Sequence, residues 1–202
     1  EVLRGPQGTL FGQNSTGGAI NVISNKPTTD EQFSKADITY GDYGMKQLRS
    51  SSNFPISDNV STKLSLSAMT REGFTENLAT GQDLDDAHNL SFRTDWMVDL
   101  SDTTSLRIFG QYSSVDRNGA AIRGIDDQSP GMRKLSQNTI SKQELTSKVA
   151  AMIFETDLGF ASLKILASSQ EDDISVTRDN DRHNFGDPVL SIPGLGVGAT
   201  YQ

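Results

Sequence analysis

Residues 89–99 read Asn89-Leu90-Ser91-Phe92-Arg93-Thr94-Asp95-Trp96-Met97-Val98-Asp99. In an extended chain successive side chains point to opposite faces, so a period of two sorts them. Leu90, Phe92, Trp96 and Val98 fall on one face, with Thr94 among them. Asn89, Ser91, Arg93, Asp95 and Asp99 fall on the other, where Met97 is the apolar exception. One face suits hydrocarbon and the other suits water, which predicts an antiparallel strand half buried in an apolar medium.

The same alternation spreads outward from this stretch. In 60–70, Val60, Thr62, Leu64, Leu66 and Ala68 oppose Ser61, Lys63, Ser65 and Ser67. In 105–115, Leu106, Ile108, Gly110 and Tyr112 oppose Arg107, Gln111 and Ser113, with Phe109 on the polar side. In 161–170, Ala161, Leu163, Ile165 and Ala167 oppose Ser162, Lys164, Ser168 and Gln170, with Leu166 as the exception. Weaker strands are predicted at 34–41 and 45–55. A further one at 144–156 is apolar on both faces from Val149 to Phe154, so its facing stays open. Helical spacing is sustained nowhere.

The connections sort by length. Residues 55–59, 101–104 and 157–159 make short links, whereas about 71–88, about 116–143 and the chain from about 174 onward are long and polar. The tight link Gly41-Asp42-Tyr43-Gly44 is the one exception among the long side. Short turns at one end and long loops at the other are the habit of a transmembrane barrel, and a soluble sandwich has no reason to adopt it. Phe54, Trp96, Phe154 and Phe160 lie near the short turns, and Tyr40, Tyr43, Phe74 and Tyr112 near the long loops, as two interfacial aromatic girdles would. The fold class expected is therefore all-β: a partial transmembrane antiparallel β-barrel of about seven strands.

Bulk composition agrees. The 202 residues carry a formal net charge of −8 and no cysteine, and 34% are hydrophobic. An acidic chain without a basic block argues against a nucleic-acid partner, and the missing thiols remove disulfides and thiolate chemistry. No run approaches the roughly 18 apolar residues of a membrane helix, but barrel strands hide their lipid face in every second residue. The chain opens at Glu1 without an initiator Met or an apolar leader and ends without a terminating element, so it reads as an internal piece of a longer protein.

Residues 1–27 differ from all that follows. They run Glu1-Val2-Leu3-Arg4-Gly5-Pro6-Gln7-Gly8-Thr9-Leu10-Phe11-Gly12-Gln13-Asn14-Ser15-Thr16-Gly17-Gly18-Ala19-Ile20-Asn21-Val22-Ile23-Ser24-Asn25-Lys26-Pro27. Gly5-Pro6 sets a turn, Gly8 and Gly12 permit sharp reversals, and Gly17-Gly18 allow close backbone approach before a short strand over 18–24. The segment resembles, without a gap, the closing segment of the plug domain in TonB-dependent outer-membrane receptors. The matching positions include Arg4, Gly5, Pro6, Gly8, Gly12, Gly17, Gly18 and Asn21.

The resemblance implies a C-terminal plug end over 1–30 and the N-terminal, incomplete part of the barrel over 31–202. It implies active uptake of a scarce nutrient, typically a ferric siderophore, across the outer membrane of a Gram-negative bacterium. An inner-membrane TonB complex would pull through an N-terminal box that this sequence lacks. No enzyme activity and no cofactor are implied. Arg4 would pair with barrel glutamates and lock the plug, and specificity would sit in the loops at about 71–88, 116–143 and 174–202.

Two other classes are weighed beside this one. A passive porin-type barrel needs no Gly-rich segment ahead of its first strand. A soluble carbohydrate-binding or adhesin β-domain would bury one sheet face and extract without detergent. The Gly-rich run lacks the Gly-Lys-[Ser/Thr] ending of a phosphate loop, and Gly194-Leu195-Gly196-Val197-Gly198 reads as loop. His88 and His183 have no nucleophile beside them. The acidic clusters at Asp83-Asp85-Asp86, Asp126-Asp127 and Glu171-Asp172-Asp173 lack EF-hand spacing and read as solvated loop faces.

Overall fold

A computed structural model describes residues 2–5, 17–20, 23–180, 182 and 198–201. The elements in chain order are β1 (Val2–Arg4), β2 (Gly18–Ile20), β3 (Phe33–Tyr40), β4 (Lys46–Ser57), β5 (Val60–Arg71), β6 (Thr75–Asn77), β7 (Gln82–Leu84), β8 (Ala87–Ser101), β9 (Thr104–Arg117), β10 (Lys134–Leu135), β11 (Lys142–Asp157), β12 (Ser162–Asp179) and β13 (Gly198–Tyr201). All are strands. Eight form one antiparallel sheet in the order β13-β12-β11-β9-β8-β5-β4-β3, a meander of neighbours.

Seven of the eight are the strands predicted from alternation, with two corrections of extent. β12 runs to Asp179, nine residues past 170, and β13 occupies 198–201 where a loop was expected. Glu171, Asp172 and Asp173 put polar residues at both parities and interrupt the alternation, which resumes only over Ile174, Ser175, Val176 and Thr177. The predicted strand over 18–24 is shorter, Gly18–Ile20, and Ile23 and Ser24 lie outside any strand. β2 pairs with β1, Arg4 standing opposite Gly18. Gly18 has φ +135°, and a Cβ there would be driven into the Leu3 carbonyl oxygen, so glycine is required for this pairing.

Register fixes the two faces. Leu66, Phe92, Tyr112 and Leu64, Thr94, Gly110 stand in rows across β5, β8 and β9. The rows continue through Lys148 and Ala150 on β11, which settles the open strand: Ala150, Met152 and Phe154 share the apolar face, and Val149, Ala151 and Ile153 the other. On the apolar face the charged groups Lys46, Asp116, Lys142, Glu144, Lys148, Glu171, Asp173 and Asp179 all sit toward the long-loop end. The central and short-turn stretches of that face carry no charge over β5, β8 and β9. The opposite face carries Lys35, Asp37, Arg49, Lys63, Arg93, Asp95, Arg107, Glu155 and Lys164 along its whole height.

Burial is inverted relative to a soluble domain. Among the described residues the buried apolar side chains are Leu84, Ala87, Leu135 and Ala151, while Asn53, Ser61, Thr62, Asp95 and Arg107 are buried polar ones. Phe92, Trp96 and Ile108 stand more than 40% exposed. A sheet that turns its hydrocarbon outward and its charge inward fits a bilayer wall and does not fit a sandwich core.

The connections keep the predicted sorting, but the long ones are structured. β6 and β7 form a hairpin within the 72–86 loop, and β10 of the 118–141 loop adds to β6 in parallel, giving a three-stranded sheet of two loops. Tyr43 and Phe74, expected in the outer girdle, meet in this rim at 5.3 Å between centroids with their rings tilted by 46°.

Candidate functional site: the inner wall and the loop sheet

Residues 23–32 lead from the small β1–β2 sheet to β3, and they lie against the charged face. Ser24 Oγ accepts hydrogen bonds from Arg107 Nη2 at 3.0 Å and Arg93 Nη2 at 3.3 Å. Both arginines also hold Asp95, Arg107 through Nε–Oδ1 at 2.8 Å and Nη2–Oδ2 at 2.6 Å, and Arg93 through Nη2–Oδ2 at 3.2 Å. The Arg93 guanidinium stacks over Phe109 at 4.0 Å, which explains the aromatic ring on the polar side of β9. Two residues on from Ser24, Lys26 Nζ reaches Glu155 Oε2 at 3.1 Å, and Lys164 takes the other oxygen at 2.7 Å.

Asn53 ends this run of contacts. Its side-chain amide accepts from Thr28 N at 3.1 Å and donates to Thr28 O at 2.8 Å and Glu31 O at 2.5 Å. It is wholly out of solvent, so each amide group needs a partner and finds one. The connector is thus fastened to β8, β9, β11 and β4 in turn. Sequence reasoning placed Arg93 and Asp95 on this face and missed Ser24, Lys26 and Asn53, which carry no local signal.

The sequence-predicted plug positions divide. Arg4, Gly5, Gly17 and Gly18 are described: Arg4 is exposed on β1, and Gly5 has φ +81°. Pro6, Gly8, Gly12 and Asn21 lie outside the described residues, as do His183 and the run 194–197.

At the long-loop end, two side-chain amides join the loops by imitating backbone. Asn77 donates to Gln137 O at 3.0 Å and accepts from Gln137 N at 3.0 Å. Gln82 donates to Ser141 O at 2.7 Å and accepts from Ser141 N at 3.0 Å. Asn77, Leu84 and Leu135 are fully buried between the loops. The acidic cluster is part of this fastening. Asp85 accepts from Thr75 Oγ1 at 2.7 Å and Ala121 N at 2.9 Å, and Asp86 accepts from Asn118 N at 2.6 Å. Asp127 accepts from Ser129 N and Ser136 N. Burial pulls its carboxyl upward, but these hydrogen bonds and nearby Arg123 outweigh that and hold it below the usual carboxylate range.

No family model matches the chain. Among solved structures it is similar to the ferric yersiniabactin uptake receptor FyuA of Yersinia pestis, with a TM-score of 0.73 and 19% identity over 87% of this chain and 28% of that one. It is similar to the open form of the ferric-catecholate import receptor Fiu of E. coli K12, with a TM-score of 0.66 and 17% identity over 87% of this chain and 29% of that one. The siderophore receptor PiuA of Acinetobacter baumannii gives a TM-score of 0.66 and 15% identity over 90% of this chain and 27% of that one. The chain therefore spans between a quarter and a third of the length of these receptors. Taken with the inward-facing charge, the outward-facing hydrocarbon and the connector on the inner wall, these likenesses establish that the sheet has the fold of the corresponding part of these receptors.

Proposed function

We propose that this chain is part of a TonB-dependent receptor that takes up a ferric siderophore across the outer membrane of a Gram-negative bacterium. Residues 1–30 close a plug domain and 31–202 begin the barrel around it. Arg4 and the glycines of the plug motif pack the plug, and the loops at 72–86 and 118–141 face the outside. The protein performs no covalent chemistry. Its partners are outer-membrane lipid, the cargo and the inner-membrane TonB complex.

One observation carries the reading: the connector 24–31 is bound to the charged face of the sheet, through Ser24, Lys26, Thr28 and Glu31. A segment ahead of the first strand that lies inside the wall is what a plugged barrel requires. A passive porin has no such segment, and a soluble sandwich would bury the apolar face. The test is uptake of iron-55 chelated by siderophores into a receptor-deficient strain carrying the full-length gene. Accumulation that stops when the TonB protein is deleted supports the proposal. Diffusive passage of small solutes that ignores the deletion would replace it with the porin reading.

A further inference from the structure

The first outer connection is low where its neighbours are tall. Residues 41–45 turn tightly, with Gly41 N donating to Met45 O at 3.1 Å and Tyr43 O accepting from Glu72 N at 2.9 Å, whereas 72–86 and 118–141 join in the loop sheet. Tyr40, Lys46 and Thr70 beneath this turn are all exposed. Register sets the three in one row across β3, β4 and β5 on the outward face. Toward the short-turn end the next rows hold Ile38, Leu48 and Ala68, then Ala36 and Ser50, then Ser34 and Ser52. Ala68 is small between Leu48 and Leu90, and the wall is furrowed there. A groove of about 330 Å³ opens along Ile38, Tyr40, Lys46, Leu48, Ala68 and Thr70.

Charge singles out the same place. Lys46, Lys142 and Lys148 stand on the outward face near the long-loop end. Lys142 is neutralised by Glu144 at 2.5 Å and Lys148 by Glu171 at 3.4 Å. Lys46 has no ion pair or hydrogen bond among the described residues. A lysine facing lipid lays its stem along the apolar wall and carries its ammonium to the headgroup level. At that level an unpaired cation calls for an anion from the membrane. The Glu72 carboxylate lies beyond the row, against Gly44.

We propose that this groove holds a phosphorylated glycolipid of the outer leaflet, with its phosphate on Lys46 between the hydroxyls of Tyr40 and Thr70 and an acyl chain along the furrow over Ala68, Ser50 and Ala36. An ammonium and two hydroxyls are donors, and a phosphate is an acceptor for all three. The chain gains nothing from leaving water inside a bilayer. It gains contact where the wall is furrowed and not flat. The low turn leaves room above the row for a sugar headgroup that a tall loop would crowd out. The proposal rests on the receptor reading, because that reading puts the long-loop end in the outer leaflet.

The experiment is native mass spectrometry of the full-length receptor in detergent, titrated with a phosphorylated, acylated glucosamine disaccharide, its dephosphorylated form, phosphatidylglycerol and inorganic phosphate. Wild type should retain the phosphorylated glycolipid and release the dephosphorylated one. Lys46→Gln should weaken retention about fivefold, the worth of a single lysine beside an anionic headgroup. Ala68→Leu, which fills the groove and leaves the charge, should weaken it by a similar factor. Glu72→Gln should tighten it, and Lys148→Gln, whose lysine is already paired, should leave it unchanged. Lys46→Gln and Ala68→Leu add no charge to the lipid face, so heat-modifiable electrophoretic mobility should show both barrels folded. Unchanged retention in these two variants overturns the site. Phosphatidylglycerol held equally well overturns the glycolipid, and inorganic phosphate competing at equal concentration overturns the role of the furrow. Iron uptake separates this from the receptor reading. Energised uptake with unaltered retention in the variants sinks the site alone, and Lys46-dependent retention without energised uptake sinks the receptor reading alone.

Discussion

Arg107 and Asp95 meet diagonally across β9 and β8 in a two-point ion pair, 8% and 2% exposed, and the hydroxyl of Ser24 completes the arginine's coordination from the connector. The pair links two adjacent strands to the segment that enters the wall. Its energetic weight lies in what happens when one partner goes, since a buried charge left alone is far costlier than the intact pair is stabilising.

Asp95→Ala leaves two arginines facing each other with no carboxylate between them. The variant should lose about 3–5 kcal/mol of stability, read as a lower midpoint in urea unfolding of the full-length protein in lipid. Asp95→Ala combined with Arg107→Met should recover much of that loss. A double variant as unstable as the single one would mean that the pair is not the source.

Phe92→Arg and Thr94→Arg place charge on the hydrocarbon side of β8. Each should cost roughly 2–4 kcal/mol near the bilayer midplane and reduce the folded fraction in membranes. Arg93→Ala, on the inner face, should assemble. Cysteine probes at 92, 93, 94 and 95 should alternate between lipid-accessible and lipid-protected, with 92 and 94 accessible; uniform labelling would refute the facing.

Asn77→Ala deprives Gln137 N and O of their partners in a dry environment. A cost of about 1–3 kcal/mol is expected, confined to the loop sheet. Proteolysis or hydrogen exchange in 118–141 should therefore speed up while the barrel strands keep their protection.

Acid should loosen the same loop. Asp127 has a depressed folded-state carboxyl, so its contribution is complete above its ordinary unfolded value, about 3.9, and is lost as pH falls through the lower folded value. Exchange in 123–136 should rise below about pH 4. In Asp127→Asn that step should vanish.

The strands were legible because a period of two is a local property, and most residues of Leu90 to Val98 report it, Thr94 and Met97 apart. Phe109 and Leu166 broke the period: the first because a ring on the inner face serves Arg93, the second with no partner to explain it. β6, β7 and β10 have two or three residues each, too few to show any period. The inner-wall contacts were illegible for another reason. Ser24 meets Arg93 and Arg107 across 69 and 83 residues of chain, and Lys26 meets Glu155 across 129. Nothing local at a serine or a lysine announces a partner so distant.

The two amides of β6 and β7 leave a mark on how such a rim can evolve. Asn77 and Gln82 recognise peptide groups at 137 and 141, not the side chains there. These contacts therefore constrain spacing more than identity: a substitution at 141 leaves the clasp closed, whereas one residue inserted between 137 and 141 throws both amides out of step. A lineage drifting toward new cargo would change letters within that stretch and place its insertions in 123–133, beyond the clasp.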